Sequence, residues 1–125
     1  MTGSEYQDLA MRTNDGKGTA RLIIRAVENN EHIDFGGIMN ACLGLSGEVG
    51  EFNDMVKKWV FHEKPLDATH AKKELGDCMW YIAMMCQSFG WDMNEIMQMN
   101  VDKLLKRYPD GFDVQKANNR SVNDV

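Results

Sequence analysis

Four carboxylates arranged as two pairs have the clearest potential for chemistry in this chain. Glu48 and Glu51 lie three residues apart, and so do Glu74 and Asp77. Because a helix turns by about 100° per residue, the two members of each pair share one helical face. On a helical wheel both pairs border the apolar stripe of their segment instead of lying opposite to it. We therefore expect all four acids to point toward a neighbouring helix.

A short turn around Pro65 joins the two segments that carry the acid pairs, which predicts an antiparallel helical hairpin. At ~1.5 Å per residue, both pairs stand on the order of 10–15 Å from this turn, so the pairs can meet. Carboxylates at close range repel each other, and a hard divalent cation relieves the repulsion. The spacing therefore predicts a metal site formed by Glu48, Glu51, Glu74 and Asp77, with Mg²⁺ favoured because it prefers oxygen ligands.

Cationic and polar side chains follow the acids on two helical stripes. Lys58 falls two turns after Glu51 on the same face, and Asn100, Lys103 and Arg107 share a stripe further along the chain. A metal site with nearby cations is typical of a pocket for a metal-chelated polyphosphate. The alternative interpretation of the cations is a surface ion pair, and that of Asn100 is a local hydrogen bond.

Aromatic and histidine side chains near the acids are weaker candidates. Tyr81 follows Asp77 by four residues, which makes it the best-placed aromatic to stack on a nucleotide base, although aromatics at helical spacing usually pack in a core. His70 is interpreted as a residue of the first helical turn and not as a ligand. The three cysteines, Cys42, Cys78 and Cys86, are expected to be small core residues.

The elements that must position these residues are predicted to be helical. Proline occurs only at positions 65 and 109, and no stretch alternates between apolar and polar residues. This pattern predicts an all-α fold, an antiparallel bundle of four to five helices, in a single domain at 1–112 with a polar, flexible tail at 113–125. The predicted helix N-caps are Ser4, Thr19, Asp34, Asp67 or Thr69, and Asp92. The predicted helix ends are Asn29-Asn30 for the second helix, Phe61 and Gly90 for the two long ones, and the residues before Pro109 for the last.

Glycines are unusually frequent in the segment that carries the first acid pair. They occur at positions 36, 37, 44, 47 and 50, and each costs a helix interior about 1 kcal/mol relative to alanine. We expect bare backbone to be needed there, either for close approach of another helix or for room beside a ligand.

Composition restricts the partners and the location. The net charge of −5 argues against nucleic-acid binding, which normally needs a basic surface. The longest apolar run, residues 78–86, is too short to span a membrane. The first residues lack a basic and then apolar secretion signal. An odd number of cysteines without paired spacing favours reduced thiols in a cytoplasmic protein.

Taken together, these motifs resemble the MazG-like nucleoside triphosphate pyrophosphohydrolases. The likeness covers about positions 5 to 112, and its signature is E-x-x-E followed by E-x-x-D, then by an Asn-Lys-Arg-Tyr-Pro block. The segments that carry it are residues 44–51, Lys57-Lys58, residues 74–77 with Trp80-Tyr81, and residues 100–112. The resemblance implies an all-α fold, dependence on Mg²⁺ or Mn²⁺, and a homo-oligomer, a dimer or tetramer. It also implies hydrolysis of NTPs or dNTPs to the monophosphate and pyrophosphate.

Two other functions are compatible with a helical chain of this composition. One is a non-catalytic oligomerisation module whose acids are solvated surface residues. The other is a di-iron carboxylate bundle, although such bundles use Glu-x-x-His pairs, and no histidine here follows a glutamate by three residues. Calorimetry with Mg²⁺ and a non-hydrolysable nucleotide separates these possibilities.

Overall fold

The computed structural model describes residues 1–28 and 32–125, and about 75% of the chain is helical, with no strand in the described part. The all-α prediction is therefore confirmed. A short 3₁₀ turn, Met11–Thr13, follows the first helix. The α-helices are α1 (Gly3–Ala10), α2 (Gly18–Glu28), α3 (Phe35–Phe61), α4 (Ala68–Phe89), α5 (Met93–Arg107) and α6 (Val114–Asn118).

The three helices that carry the predicted site residues begin where their aspartates predict. Asp34, Asp67 and Asp92 each accept a hydrogen bond from a backbone N–H in the first turn, at 2.8–3.0 Å. These bonds satisfy N–H groups that have no partner within the helix. At the other end of α4, Gly90 adopts the left-handed conformation with φ of 75°, as predicted for a helix C-cap.

The predicted caps of the first two helices are wrong. Thr2, and not Ser4, caps α1, because its hydroxyl accepts from the Glu5 N–H while the Glu5 carboxylate accepts from the Thr2 N–H. Helix α2 starts at Gly18, so that Thr19 lies inside it. Its predicted end at Asn29-Asn30 lies outside the described residues.

Helices α3 and α4 form an antiparallel pair that makes most of the contacts between helices. The start of α3 lies beside the end of α4, where the Asp34 N–H donates to the Ser88 carbonyl at 2.9 Å. Gly37 lies directly against the Ser88 side chain, and a Cβ at this position would overlap the Ser88 Oγ. This end of the hairpin is therefore closed by backbone contact.

The buried apolar side chains belong to the same helix pair. They are Ile38, Ala41, Ala71 and Cys86. Of the other two cysteines, Cys78 is half-buried and Cys42 is exposed, so the expectation of a core position is wrong for Cys42. Many large apolar side chains on α2, α3, α4 and α5 remain exposed, among them Ile23, Leu43, Met79, Trp80 and Leu105.

The connection between α3 and α4 contains a left-handed residue that is not glycine. Glu63 has φ of 54°, directly before Lys64, whose N–H donates to the Lys58 carbonyl at 3.2 Å. We expect Glu63→Gly to raise the free energy of unfolding by about 0.5–1 kcal/mol, since relief of left-handed strain, about 1–2 kcal/mol, exceeds the added entropy of the unfolded chain. Urea denaturation measures this change. Glu63→Ala serves as the control, and an equal gain in that variant would contradict the strain argument.

The C-terminal residues contain a helix that sequence analysis missed. Asp113 caps α6 by accepting from the Lys116 N–H at 3.0 Å, and beyond α6 the Asp124 carboxylate pairs with Arg107 of α5. The division into a domain at 1–112 and a tail at 113–125 stays a prediction, but these residues carry their own helix and a contact back to α5.

Candidate functional site

Three of the four predicted acids meet between α3 and α4. Glu48, Glu74 and Asp77 each offer a carboxylate oxygen, and these oxygens lie within 4.8 Å of one another. Glu74 is buried, with 7% of its surface exposed, whereas Glu48 is half-buried and Asp77 is exposed. The cluster therefore extends from the helix interface to solvent.

Two oxygens of this cluster are buried without a hydrogen bond. Outside the acid cluster itself, Glu48 Oε2 and Glu74 Oε2 find no donor in the described part of the chain. Leaving a buried carboxylate oxygen without a partner is costly, and an oxygen-seeking cation would supply the missing interaction. The donor set, three carboxylates with oxygens at close range, therefore fits a hard divalent metal.

The protons of the cluster are shared between two residues. Glu74 is the main reason that the pKa of Glu48 is raised to about 7, followed by desolvation and by the charges of Glu51, Glu74 and Asp77. The pKa of Glu74 is lowered, first by hydrogen bonding with Glu48 and then by Glu51 and His70. At neutral pH, Glu74 is thus an anion while Glu48 retains much of its proton.

This distribution predicts how the stability of the metal-free protein depends on pH. Unfolding returns the pKa of Glu48 from about 7 to its ordinary 4.5, so between these values the folded state holds a proton that the unfolded state releases. We therefore expect the free energy of unfolding to fall progressively as the pH rises from 4.5 to 7, because of Glu48. The lowered pKa of Glu74 makes the free energy of unfolding rise with pH instead, and only below its ordinary pKa of 4.5.

The measurement is the melting temperature in EDTA across this pH range, for the wild type and for Glu48→Gln. The wild type should lose stability relative to the variant as the pH rises, and added Mg²⁺ should stabilise the wild type more at pH 8 than at pH 5. Parallel curves for the two proteins would contradict the assignment.

Glu51 and His70 approach the cluster from the side of the interhelical turn. Glu51 is exposed, and its carboxylate does not belong to the three-residue group, although its charge helps to raise the pKa of Glu48 and its hydrogen bonding helps to lower the pKa of Glu74. His70 Nε2 lies 2.9 Å from Glu74 Oε1. Sequence analysis missed this contact, yet the four-residue spacing that produces it is visible in the sequence.

A cavity of about 580 Å³ opens between α3 and α4 next to the turn. Its wall includes Glu51 and Glu74 together with Lys58, Lys64 and His70. Lys58 thus lies in the same cavity wall as Glu51 and Glu74. Its Nζ forms an ion pair with Asp54, at 2.7 Å from a carboxylate oxygen. Of the acid cluster, Glu74 lines this cavity, so the cluster lies at the edge of a concave surface that also carries cations.

The glycines of α3 serve both of the purposes that the sequence suggested. At Gly44 a Cβ would overlap the ring of Tyr81, whereas at Gly47 and Gly50 no atom of the described residues would lie within 4 Å of it. Gly44 therefore allows close helix packing, and the other two leave the cavity wall open. Tyr81 packs on this backbone and makes an edge-to-face contact with Trp80, with ring centroids 5.1 Å apart.

The predicted phosphate contacts on α5 lie elsewhere. Lys103 and Arg107 line a second cavity, and the exposed Asn100 lies outside the lining of both. Arg107 forms a forked pair with Asp124, in which its Nε and Nη2 donate at 2.7–3.1 Å. The structure does not bring these residues to the acids, and their contact with substrate stays a prediction.

Comparison with known proteins identifies the family. The model of the MazG nucleotide pyrophosphohydrolase domain matches residues 38–112. The chain belongs to this family. The MazG region contains most of α3, all of α4 and α5, and both acid pairs, whereas α1, α2 and α6 lie outside it.

The chain also resembles a phage protein. The MazG chain is 32% identical over 89 residues to the Gene 37 protein of Mycobacterium phage L5, which covers 67% of this chain and 77% of that protein. No solved structure matches this chain. Among residues 1–28 and 32–125, no helix has the length and apolar character needed to cross a bilayer.

Proposed function

We propose that this chain is a metal-dependent nucleoside triphosphate pyrophosphohydrolase that cleaves NTPs or dNTPs between the α and β phosphates. The products are the nucleoside monophosphate and pyrophosphate. The observation that carries the proposal is the convergence of Glu48, Glu74 and Asp77, with two buried oxygens that lack hydrogen bonds, at the edge of a cavity that also contains cations.

The metal ligands are assigned to the acid cluster. Glu48, Glu74 and Asp77 would hold Mg²⁺ or Mn²⁺, whereas Glu51, the fourth predicted ligand, lies outside this close group in the cavity wall. When bound, such an ion polarises a phosphate and lowers the pKa of a bound water. His70 orients Glu74, because its Nε2 lies against Oε1 and leaves the buried Oε2 without a hydrogen-bond partner.

The remaining residues of the cavity suit a triphosphate. Its volume of about 580 Å³ lies in the range of small-molecule sites. Lys58 and Lys64 place positive charge where pyrophosphate would leave. Glu51, exposed and outside the close group, is the carboxylate that we assign as the base that accepts a proton from the attacking water. Tyr81, Asn100, Lys103 and Arg107 stay predicted substrate contacts.

We also propose that the protein acts as a homo-oligomer, a dimer or tetramer, in the cytoplasm. The support is the amount of apolar surface that a single copy leaves uncovered on the helix pair itself, including Leu43 and Met79, which are 70% and 63% exposed. A second copy is the simplest cover for such surface. Light scattering coupled to size-exclusion chromatography gives the mass in solution.

The function is tested by incubating the protein with a panel of NTPs and dNTPs in Mg²⁺ and separating the products by anion-exchange chromatography. Equal amounts of monophosphate and pyrophosphate are expected, and EDTA should stop their formation. If no nucleotide yields both products, the proposal fails. A module that only oligomerises would bind neither Mg²⁺ nor a non-hydrolysable nucleotide in calorimetry, and a di-iron bundle would prefer iron and show an optical band.

A further inference from the structure

One acidic side chain in the cavity beside the acid cluster has no role in the proposed reaction. Asp54 lines this cavity together with Glu51 and Lys58, but it does not belong to the close group of carboxylates that suits a metal. A carboxylate in the wall of a polyphosphate site is unexpected, because its charge repels the ligand that the neighbouring cations attract. The position of Asp54 therefore calls for a function of its own.

Asp54 is paired with the cation that the proposed reaction uses for the leaving group. The Lys58 Nζ lies 2.7 Å from the Asp54 Oδ2, and the two side chains are 44% and 49% exposed. Lys58 lowers the pKa of Asp54, mainly through this hydrogen bond, so Asp54 is an anion at neutral pH. Exposed ion pairs at a four-residue spacing stabilise a helix only weakly. Lys58 can therefore exchange Asp54 for another anion without a large loss of stability.

The backbone of Lys58 is anchored at the end of α3, whereas its side chain is long and flexible. The Lys58 carbonyl accepts hydrogen bonds from the His62 N–H at 3.0 Å and from the Lys64 N–H at 3.2 Å. The partner of the ammonium is therefore decided by the four-carbon side chain alone. Lys58 and Asp54 both line the cavity, so the ammonium can move from the carboxylate to a bound anion without any change in the helices.

We propose that Asp54 is the resident counter-ion of Lys58 and competes with the pyrophosphate product for it, which promotes release of this product. In the empty cavity Lys58 pairs with Asp54. Pyrophosphate carries more charge than one carboxylate and draws the ammonium away, and Asp54 takes it back as the product leaves. Asp54 is thus a positioning residue that acts through Lys58. The inference rests on the proposed function, because that function makes pyrophosphate the product and brings it to Lys58.

The test is isothermal titration of the full chain with inorganic pyrophosphate in Mg²⁺. Asp54→Asn should tighten binding by about threefold to tenfold, because it removes a charge from the cavity wall and frees Lys58. Lys58→Met should weaken binding by about threefold in the wild type but by about tenfold or more in the Asp54→Asn background, where Lys58 has no competing partner. Glu95→Gln removes an equal charge at an exposed position outside both cavities and should change the affinity by less than about twofold.

The comparison of the two backgrounds decides the outcome. Equal losses from Lys58→Met with and without Asp54 would show that the two residues act independently, and would overturn the proposal, as would unchanged affinity in Asp54→Asn or no pyrophosphate binding by the wild type. Asp54→Ser provides the same comparison if Asp54→Asn does not fold. Because binding is measured without turnover, a protein that hydrolyses nucleotides but shows equal losses refutes this inference alone. A protein that shows the expected coupling but hydrolyses no nucleotide refutes the proposed function alone.

Discussion

Glu74→Gln is expected to lower kcat/KM for nucleotide hydrolysis by about 100-fold or more, and to remove the stabilisation of the protein by Mg²⁺. Glu74 is the most buried acid of the cluster, it is the anion of the pair that it forms with Glu48, and its Oε2 has no described partner. The amide keeps the size of the side chain but removes its charge, and its NH₂ group is not a metal ligand. Of the four acids, Glu74 thus combines the most evidence for a ligand.

Two measurements separate a metal ligand from a residue that only supports the fold. Pyrophosphate release gives the activity, and the shift of the melting temperature on adding Mg²⁺ reports metal binding without turnover. Glu95→Gln, at an exposed acid of α5 outside both cavities, is the matched control and should keep activity and metal response. A Glu74→Gln protein that still responds fully to Mg²⁺ would contradict the assignment, even if it were inactive.

Gly44→Ala is expected to destabilise the protein by about 1–3 kcal/mol, although alanine is the better helix former. The added Cβ would overlap the ring of Tyr81, which lies between the two helices and has no flexible end that could turn away. The helices would have to separate near the acids, so metal binding should weaken as well.

The control for this change is the same substitution at Gly76 of α4. No described atom would lie within 4 Å of a Cβ there, and Gly76→Ala should therefore stabilise the protein by about 1 kcal/mol. Urea denaturation of both variants gives the comparison. Adding Tyr81→Ala to Gly44→Ala should cost less than the sum of the two single changes, because the truncated side chain leaves room for the methyl group. Strict additivity would show that the overlap is not the cause.

Sequence predicted the parts of this molecule that depend on local signals. Asp34, Asp67 and Asp92 begin their helices because a carboxylate that accepts first-turn N–H groups acts within three residues of its own position. Gly90 ends α4 for a similarly local reason. At α1 both Thr2 and Ser4 begin a capping-box pattern, with Glu5 and Gln7 three residues later, and the structure uses the pair of Thr2 and Glu5.

The arrangement of the site depended on information that a helical wheel lacks. The wheel gives the face of each acid pair, but the rotation of α3 against α4 decides which oxygens meet. That rotation joins Glu48 to Glu74 and Asp77 and leaves Glu51 at the cavity wall. The position of α5 relative to the hairpin is likewise a tertiary property, which is why the stripe with Lys103 and Arg107 was predictable and its distance from the acids was not.

The hairpin divides two tasks along its length. Toward one end, Gly37 and Ser88 bring the backbones of α3 and α4 together, and toward the turn the bare backbone at Gly47 and Gly50 faces the open cavity. A ligand in this cavity therefore does not disturb the contacts at Gly37 and Ser88 that keep the helices paired. Substitutions in the cavity wall can accordingly change what binds there while the contacts at Gly37 and Ser88, and with them the folded state, stay unchanged.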